Sequence, residues 1–152
     1  MSSPCCLAKM RCFGKRKRKF VERTGVTSTL LIRRLQCCKC KKIHHELPDM
    51  LVPYKRHCSE TVQNIIDDRN VEDTEILCET PTIIRIKQWF SNLSERFLAR
   101  LQHRRARFPL PGDLKIESME QYRKQGSWLK NLVWELANHN LWVQPVPSLT
   151  PG

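Results

Sequence analysis

Two cysteines at Cys-x-x-Cys spacing, Cys37 and Cys40, follow directly on an apolar, β-branched run, TSTLLIRRL. A tight turn of this kind aims both sulfurs at one point, so the pair makes half of a tetrahedral metal site. The other half has to come from elsewhere in the chain. Cys5 and Cys6 stand together near the N-terminus, behind Pro4. Two such knuckles on neighbouring loops, brought together by strands, would close one site. Thiolates favour Zn2+, which makes a single zinc ion the expected cofactor. Taken one at a time, Cys5, Cys12 and Cys38 are better explained as small buried or surface residues. His44 and His45 are neighbours in an expected strand, so they point to opposite faces and cannot easily share an ion. One of them is expected to pack or hydrogen-bond within the ribbon while the other is exposed. Glu46 and Asp49 look isolated, and no paired-carboxylate site for acid–base chemistry emerges.

A second group of residues has a different chemistry. Lys15, Arg16, Lys17, Arg18 and Lys19 form an unbroken basic run. Residues 1–58 hold 15 Lys/Arg against 3 Asp/Glu, a net of +12, whereas residues 59–152 hold 12 of each. The entire excess therefore lies in the first third. That asymmetry points to a polyanion partner, and nucleic acid is the commonest, because neutralised phosphates release condensed counterions. The plain alternative is a solvated surface that keeps the chain soluble. Eight cysteines without a recognisable secretory leader point to a reducing, cytoplasmic setting, with metal ligands rather than disulfides. No apolar run approaches the ~18 residues of a membrane span.

The elements that would position these residues can be read in outline. Gly14 and the basic cluster read as a hairpin tip, and Thr24-Gly25 as a second turn. TSTLLIRRL (27–35) reads as a strand. A short antiparallel meander results. It holds too few apolar residues for a core of its own, so metal is expected to supply much of its folding energy. From Ser59 the pattern turns helical: Ser59 serves as N-cap, and Val62, Ile65 and Ile66 recur at helical spacing. A short acidic helix is expected over Val71–Glu79. Thr80-Pro81 is a strong start signal, after which Ile83, Ile86, Phe90, Leu93, Phe97 and Leu101 trace one face of a long helix. Thr82, Arg85 and Gln88 lie on its outer face. Arg and Gln are types that read guanine and adenine edges, although such a face is usually just solvated. The arginine-rich end, RFLARLQHRRAR, suits the helix dipole and could also meet phosphates. FPLPGD then breaks the chain. Short helices follow over Met119–Lys124 and, capped by Ser127, over WLKNLVWELANHN.

The string RRLQCCKCKKIHHELPDMLVPYKRHCSETVQNIID resembles an uncharacterised bacterial family of transposase-like proteins, from about residue 3 to about residue 100. The resemblance implies an N-terminal zinc-ribbon-like segment followed by a helix-turn-helix-like segment. The family begins with a Cys-Pro-x-Cys knuckle; here Ser3-Pro4-Cys5-Cys6 puts serine at the first position. Cys6, Cys37 and Cys40 keep the other three metal positions that the resemblance implies. Serine is a poor zinc ligand, so the fourth ligand would be Cys5 by a local shift, or Cys12, or His44; alternatively the site is lost.

The fold class expected is α+β. A basic zinc-ribbon-like β unit (1–58) precedes a helix-turn-helix-like region (59–107), a linker with C-terminal helices (108–143) and a disordered tail (144–152). The function expected is a non-catalytic, transposase-related module that recognises an end or site on double-stranded DNA. Lys15 to Lys19 would grip backbone, and Thr82, Arg85 and Gln88 would supply any base reading. An RNA- or protein-binding ribbon and a degenerate mobile-element remnant are the alternatives. An active recombination enzyme is not expected, because strand transfer needs clustered carboxylates for two metal ions on a substantial scaffold. No Gly-rich phosphate loop and no Ser/His/Asp arrangement appears either.

Overall fold

A computed structural model describes residues 2–68, 78–139 and 141–143. Three antiparallel strands come first: β1 (Met10–Val21), β2 (Thr27–Cys37) and β3 (Ile43–His45), side by side in that order. Four helices follow: α1 (Ser59–Ile66), α2 (Thr80–Arg107), α3 (Met119–Arg123) and α4 (Trp128–Leu136). The chain is therefore a small α+β fold with its sheet at the N-terminal end.

The hairpin between β1 and β2 differs from expectation. Its tip is the Thr24-Gly25 turn, closed by Glu22 N–H to Val26 O at 2.8 Å and Gly25 N–H to Glu22 O at 2.9 Å. Gly14 sits inside β1 at φ +113°, where the register with β2 slips between Cys12 and Gly14. This is a β-bulge, for which glycine supplies the positive φ. Lys15 to Lys19 therefore run along a strand rather than around a tip. The ladder to β2, from Lys15↔Arg33 to Lys19↔Thr29, takes up the backbone groups on one side of this edge strand.

The helix starts shift by one residue each. Cys58, not Ser59, takes the N-cap position of α1, and Ser59 is buried as its first residue. Glu79, not Thr80, caps α2, with Pro81 in the first turn. The apolar face of α2 is as the spacing predicts, with Ile86, Phe90, Leu93, Phe97 and Leu101 buried. The helix expected over Val71–Glu79 falls mainly on residues 69–77, outside the described residues, as does the tail from residue 144.

The ribbon's shortage of apolar residues is met by sharing rather than by metal alone. Phe20 of β1 and Ile32 of β2 join one hydrophobic cluster with Leu47, Leu51 and Val52 of the following loop. Val62 and Ile65 of α1, the α2 face, Tyr122 of α3, and Trp128 to Leu136 of α4 complete it. The ribbon thus docks one face of one end on the helical core.

The arginine-rich end of α2 is partly spent inside the molecule. Arg104 is fully buried and bonds both oxygens of Asp113, at 3.0 and 3.1 Å, and the Glu135 carboxylate. Arg105 also grips Glu135, at 2.9 and 3.1 Å, and the Tyr122 hydroxyl donates to it at 3.0 Å. These side chains are not available to phosphates.

Candidate metal centre and basic surface

Two backbone knuckles of the same build face each other at the far end of the ribbon. In the first, Leu7 N–H bonds Ser3 O at 3.0 Å, and Leu7 is left-handed at φ +60°. In the second, Lys41 N–H bonds Cys37 O at 3.1 Å, and Lys41 is left-handed at φ +63°. Ser3 therefore matches Cys37, and Cys6 matches Cys40. The second knuckle is fixed to the sheet by Cys37 N–H to Lys42 O and Cys38 N–H to Lys9 O, both 2.9 Å. The latter bond joins it to the strand that leads out of the first knuckle.

The knuckles bring Cys5, Cys6, Cys37 and Cys40 together, with all four sulfurs within 4.8 Å of one another. Cys6 Sγ is 3.3 Å from Cys37 Sγ, Cys5 Sγ is 3.3 Å from Cys40 Sγ, and Cys5 Sγ is 3.8 Å from Cys6 Sγ. A zinc ion bound to four sulfurs at about 2.3 Å needs sulfurs about 3.8 Å apart, so the cluster has the size for one tetrahedral ion. Among the described residues this is the one group of metal-ligating side chains that could hold an ion. Cys5 fills the fourth corner. Cys12 and Cys38 lie outside the cluster and are exposed, and His44 lies outside it as well.

Ser3 has a place of its own. It is fully buried, with Oγ 3.4 Å from Cys37 Sγ and 3.6 Å from Cys6 Sγ. Its hydroxyl, followed by the Cys40 N–H, lowers the Cys37 thiol to about 5. The Cys6 thiol is lowered too, again first by Ser3. Cys40 is helped by the Lys42 N–H, but the Cys5 contact, burial and neighbouring Cys37 outweigh that and push it up to about 11. A thiolate forms readily on the Cys37 side and is opposed on the Cys40 side. A divalent cation would remove that opposition, because its charge favours every thiolate at once. The role of Ser3 was missed in the sequence, where it figured only as a lost ligand. The signal was present: Ser3-x-x-Cys6 has the same spacing as Cys37-x-x-Cys40.

The basic run is split by the alternation of the strand. Lys15, Lys17 and Lys19 are exposed and share a face with Arg33, Leu31 and Thr29, all exposed as well. Arg16 and Arg18 lie opposite Ile32 and Leu30, on the face that turns inward. Arg18 is half-buried, and its Nη2 donates to Val52 O at 2.7 Å and Lys55 O at 3.0 Å. On α2, Arg85 and Gln88 are exposed and Thr82 is half-buried. Of the two histidines, His44 is half-buried and His45 exposed, as the strand pattern predicts. Glu46 is not isolated: Arg33 holds it through two bonds of 2.7 and 2.8 Å, which keep its carboxyl below the ordinary value.

Residues 3–86, more than half of the chain, match the model of a family described as Domain of unknown function (DUF6431). The matched span takes in both knuckles, the sheet, α1 and the start of α2. No curated protein and no solved structure matches the chain.

Proposed function

The chain belongs to the DUF6431 family, a domain of unknown function, and we propose from its own residues that it is a zinc-stabilised, non-catalytic module that binds double-stranded DNA. The observation that carries this reading is the exposed face of β1. Lys15, Lys17 and Lys19 stand on alternate positions of one strand, about 6.6 Å apart at 3.3 Å per residue, close to the spacing of successive phosphates on one strand. They belong to the third of the chain that holds its whole charge excess of +12. The four-cysteine cluster suits zinc by donor type and by size, and it would fix the free end of this basic strand. Arg85 and Gln88, exposed in the first turns of α2, are the candidates for base contact. The transposase relation rests on the resemblance carried by the RRLQCCKCKKIHHELPDMLVPYKRH string.

Phosphate contacts have a measurable signature. Each contact contributes about 0.9 to the slope of log affinity against log salt. Replacing Lys15, Lys17 and Lys19 together by Gln should therefore flatten the slope on duplex DNA by about 2.7, without changing the melting temperature by more than ~2 °C. Fluorescence anisotropy over a salt series checks both the slope and, against duplex RNA of the same sequence, the choice of DNA. An unchanged slope in the triple variant, or tighter binding to RNA, would overturn the reading.

A further inference from the structure

The inward face of β1 borders a cleft of about 640 Å3 between the ribbon and the C-terminal part of the chain. That volume lies within the roughly 300–1,000 Å3 usual for small-ligand sites. Arg16 and Arg18 line it from β1, with Lys17 and Lys19 bordering it too, His44 and His45 from β3, Tyr54 from the loop and Trp142 from beyond α4. Among the described residues, none that lines it is acidic. The bonds Arg18 makes to Val52 O and Lys55 O are to neutral carbonyls, which do not neutralise its charge. Burial and then Arg16 hold the Arg18 guanidinium below its ordinary value. His45 is likewise lowered, first by burial and then by Arg16, Arg34, Arg18 and His44. Like charges gathered in a half-buried space repel one another, and an anion placed among them would relieve the repulsion.

The cleft also has an aromatic side. The Trp142 ring is fixed by packing, with its centroid 4.9 Å from that of Phe97 and 6.4 Å from that of Trp89. Tyr54 is 68% exposed and left-handed at φ +62°, a conformation that a bulky residue rarely adopts. Cations beside fixed aromatic surface are the combination that takes up unstacked bases, with the phosphate on the cations and the base on the rings.

We propose that this cleft receives one unpaired nucleotide of DNA, its phosphate met by Arg16, Arg18 and His45 and its base held in the wall formed by Tyr54 and Trp142. This rests on the DNA reading of the opposite face of β1, and adds that the preferred DNA carries a single-stranded end or flap. The outer lysines would hold the backbone of the duplex while the cleft takes the overhanging nucleotide.

The test compares the zinc-loaded chain of 152 residues on a blunt duplex and on the same duplex with a short single-stranded overhang, at one salt concentration. Stacking of one base predicts about tenfold tighter binding to the overhang. Tyr54→Gly suits the left-handed backbone and should abolish that preference while leaving blunt-duplex affinity unchanged. Arg16→Gln, an exposed position, should weaken the preference as well, which guards against a folding effect particular to residue 54. Equal affinity for both duplexes, or a preference that survives in Tyr54→Gly, overturns the inference and leaves the duplex reading standing. Binding to neither duplex overturns both. Thermal shift with inorganic phosphate and with a nucleoside monophosphate separates the two parts of the ligand. A larger shift with the nucleotide supports the aromatic contact, and equal shifts overturn it in favour of a bare anion.

Discussion

Ser3 and Cys37 stand at matching corners of two like-built knuckles, yet one carries oxygen and the other sulfur. With Ser3 Oγ only 3.4 Å from Cys37 Sγ, the hydroxyl occupies the place where the first knuckle would present its own first ligand. Cys5, one residue before Cys6, supplies the sulfur instead. Two consequences can be measured as zinc per chain by native mass spectrometry, with affinity from competition against a chromophoric chelator. Cys5→Ser should weaken zinc binding by roughly a hundredfold, since it removes one of four thiolates. Ser3→Cys should restore the usual knuckle and make Cys5→Ser harmless in that background. If Cys5→Ser alone keeps full affinity, Cys5 is not the fourth ligand. At this scale the sequence was informative about which sulfurs meet, because Cys-x-x-Cys spacing has few geometric uses. The spacing of Ser3 to Cys6 hinted at a second knuckle, but it did not show why Ser3 is buried, since its contact with the Cys37 sulfur spans 34 positions and leaves no local pattern.

The ribbon is held at two ends by different means. Phe20 and Ile32 dock one end on the helical core, and the cysteine cluster closes the other. Removing zinc should then release only the cysteine end, because burial of the docked end does not involve the ion. Hydrogen exchange after chelation, or in Cys37→Ser, should show protection lost over residues 2–12 and 35–45 and kept over 19–32, with helicity unchanged. Loss of protection along the whole of β1 and β2 would mean that the ion holds the entire ribbon, as the small number of apolar residues in it first led us to expect. That expectation considered the ribbon alone; the two strand residues it adds to the shared core, Phe20 and Ile32, are enough once the helices supply the rest. The misplaced hairpin tip has a similar origin. Gly14 beside a block of charges resembles a turn, but an eleven-residue partner strand decides the matter, and glycine serves a bulge instead. The alternation of Lys15, Lys17 and Lys19 outward with Arg16, Arg18 and Phe20 inward is hidden in sequence because both faces carry the same charge.

Across the whole molecule, the helices are tied by a network that runs between distant parts of the chain. FPLPGD reads as a break, yet Asp113 within it turns back to Arg104, and Arg104 reaches Glu135 in α4, 31 positions away. An arginine-rich helix end looks suited to phosphates until its partners are known, and a single sequence offers no means of pairing them. The network has a dependence on pH whose sign is fixed. Burial opposes ionisation of Glu135, but the bonds from Arg105 and Arg104 outweigh it, so its carboxyl lies below the ordinary 4.5. Asp113 lies below the ordinary 3.8 for the same reason, its own desolvation being outweighed by Arg104. The unfolded chain therefore binds these protons at higher pH than the folded one, and acid favours unfolding. Their contribution is complete above about pH 5 and is lost as pH falls through the ordinary carboxyl range towards the lowered values. Glu135→Gln should cost about 2–3 kcal/mol near neutral pH, less than the full penalty of stranding a buried arginine because Asp113 remains on Arg104. Thermal melts from pH 7 to 3 check this. Acid also protonates thiolates and releases metal, so the informative quantity is the difference between wild type and variant. That difference should be constant above pH 5 and shrink below it; a difference that stays constant down to pH 3 would remove Glu135 from the acid response.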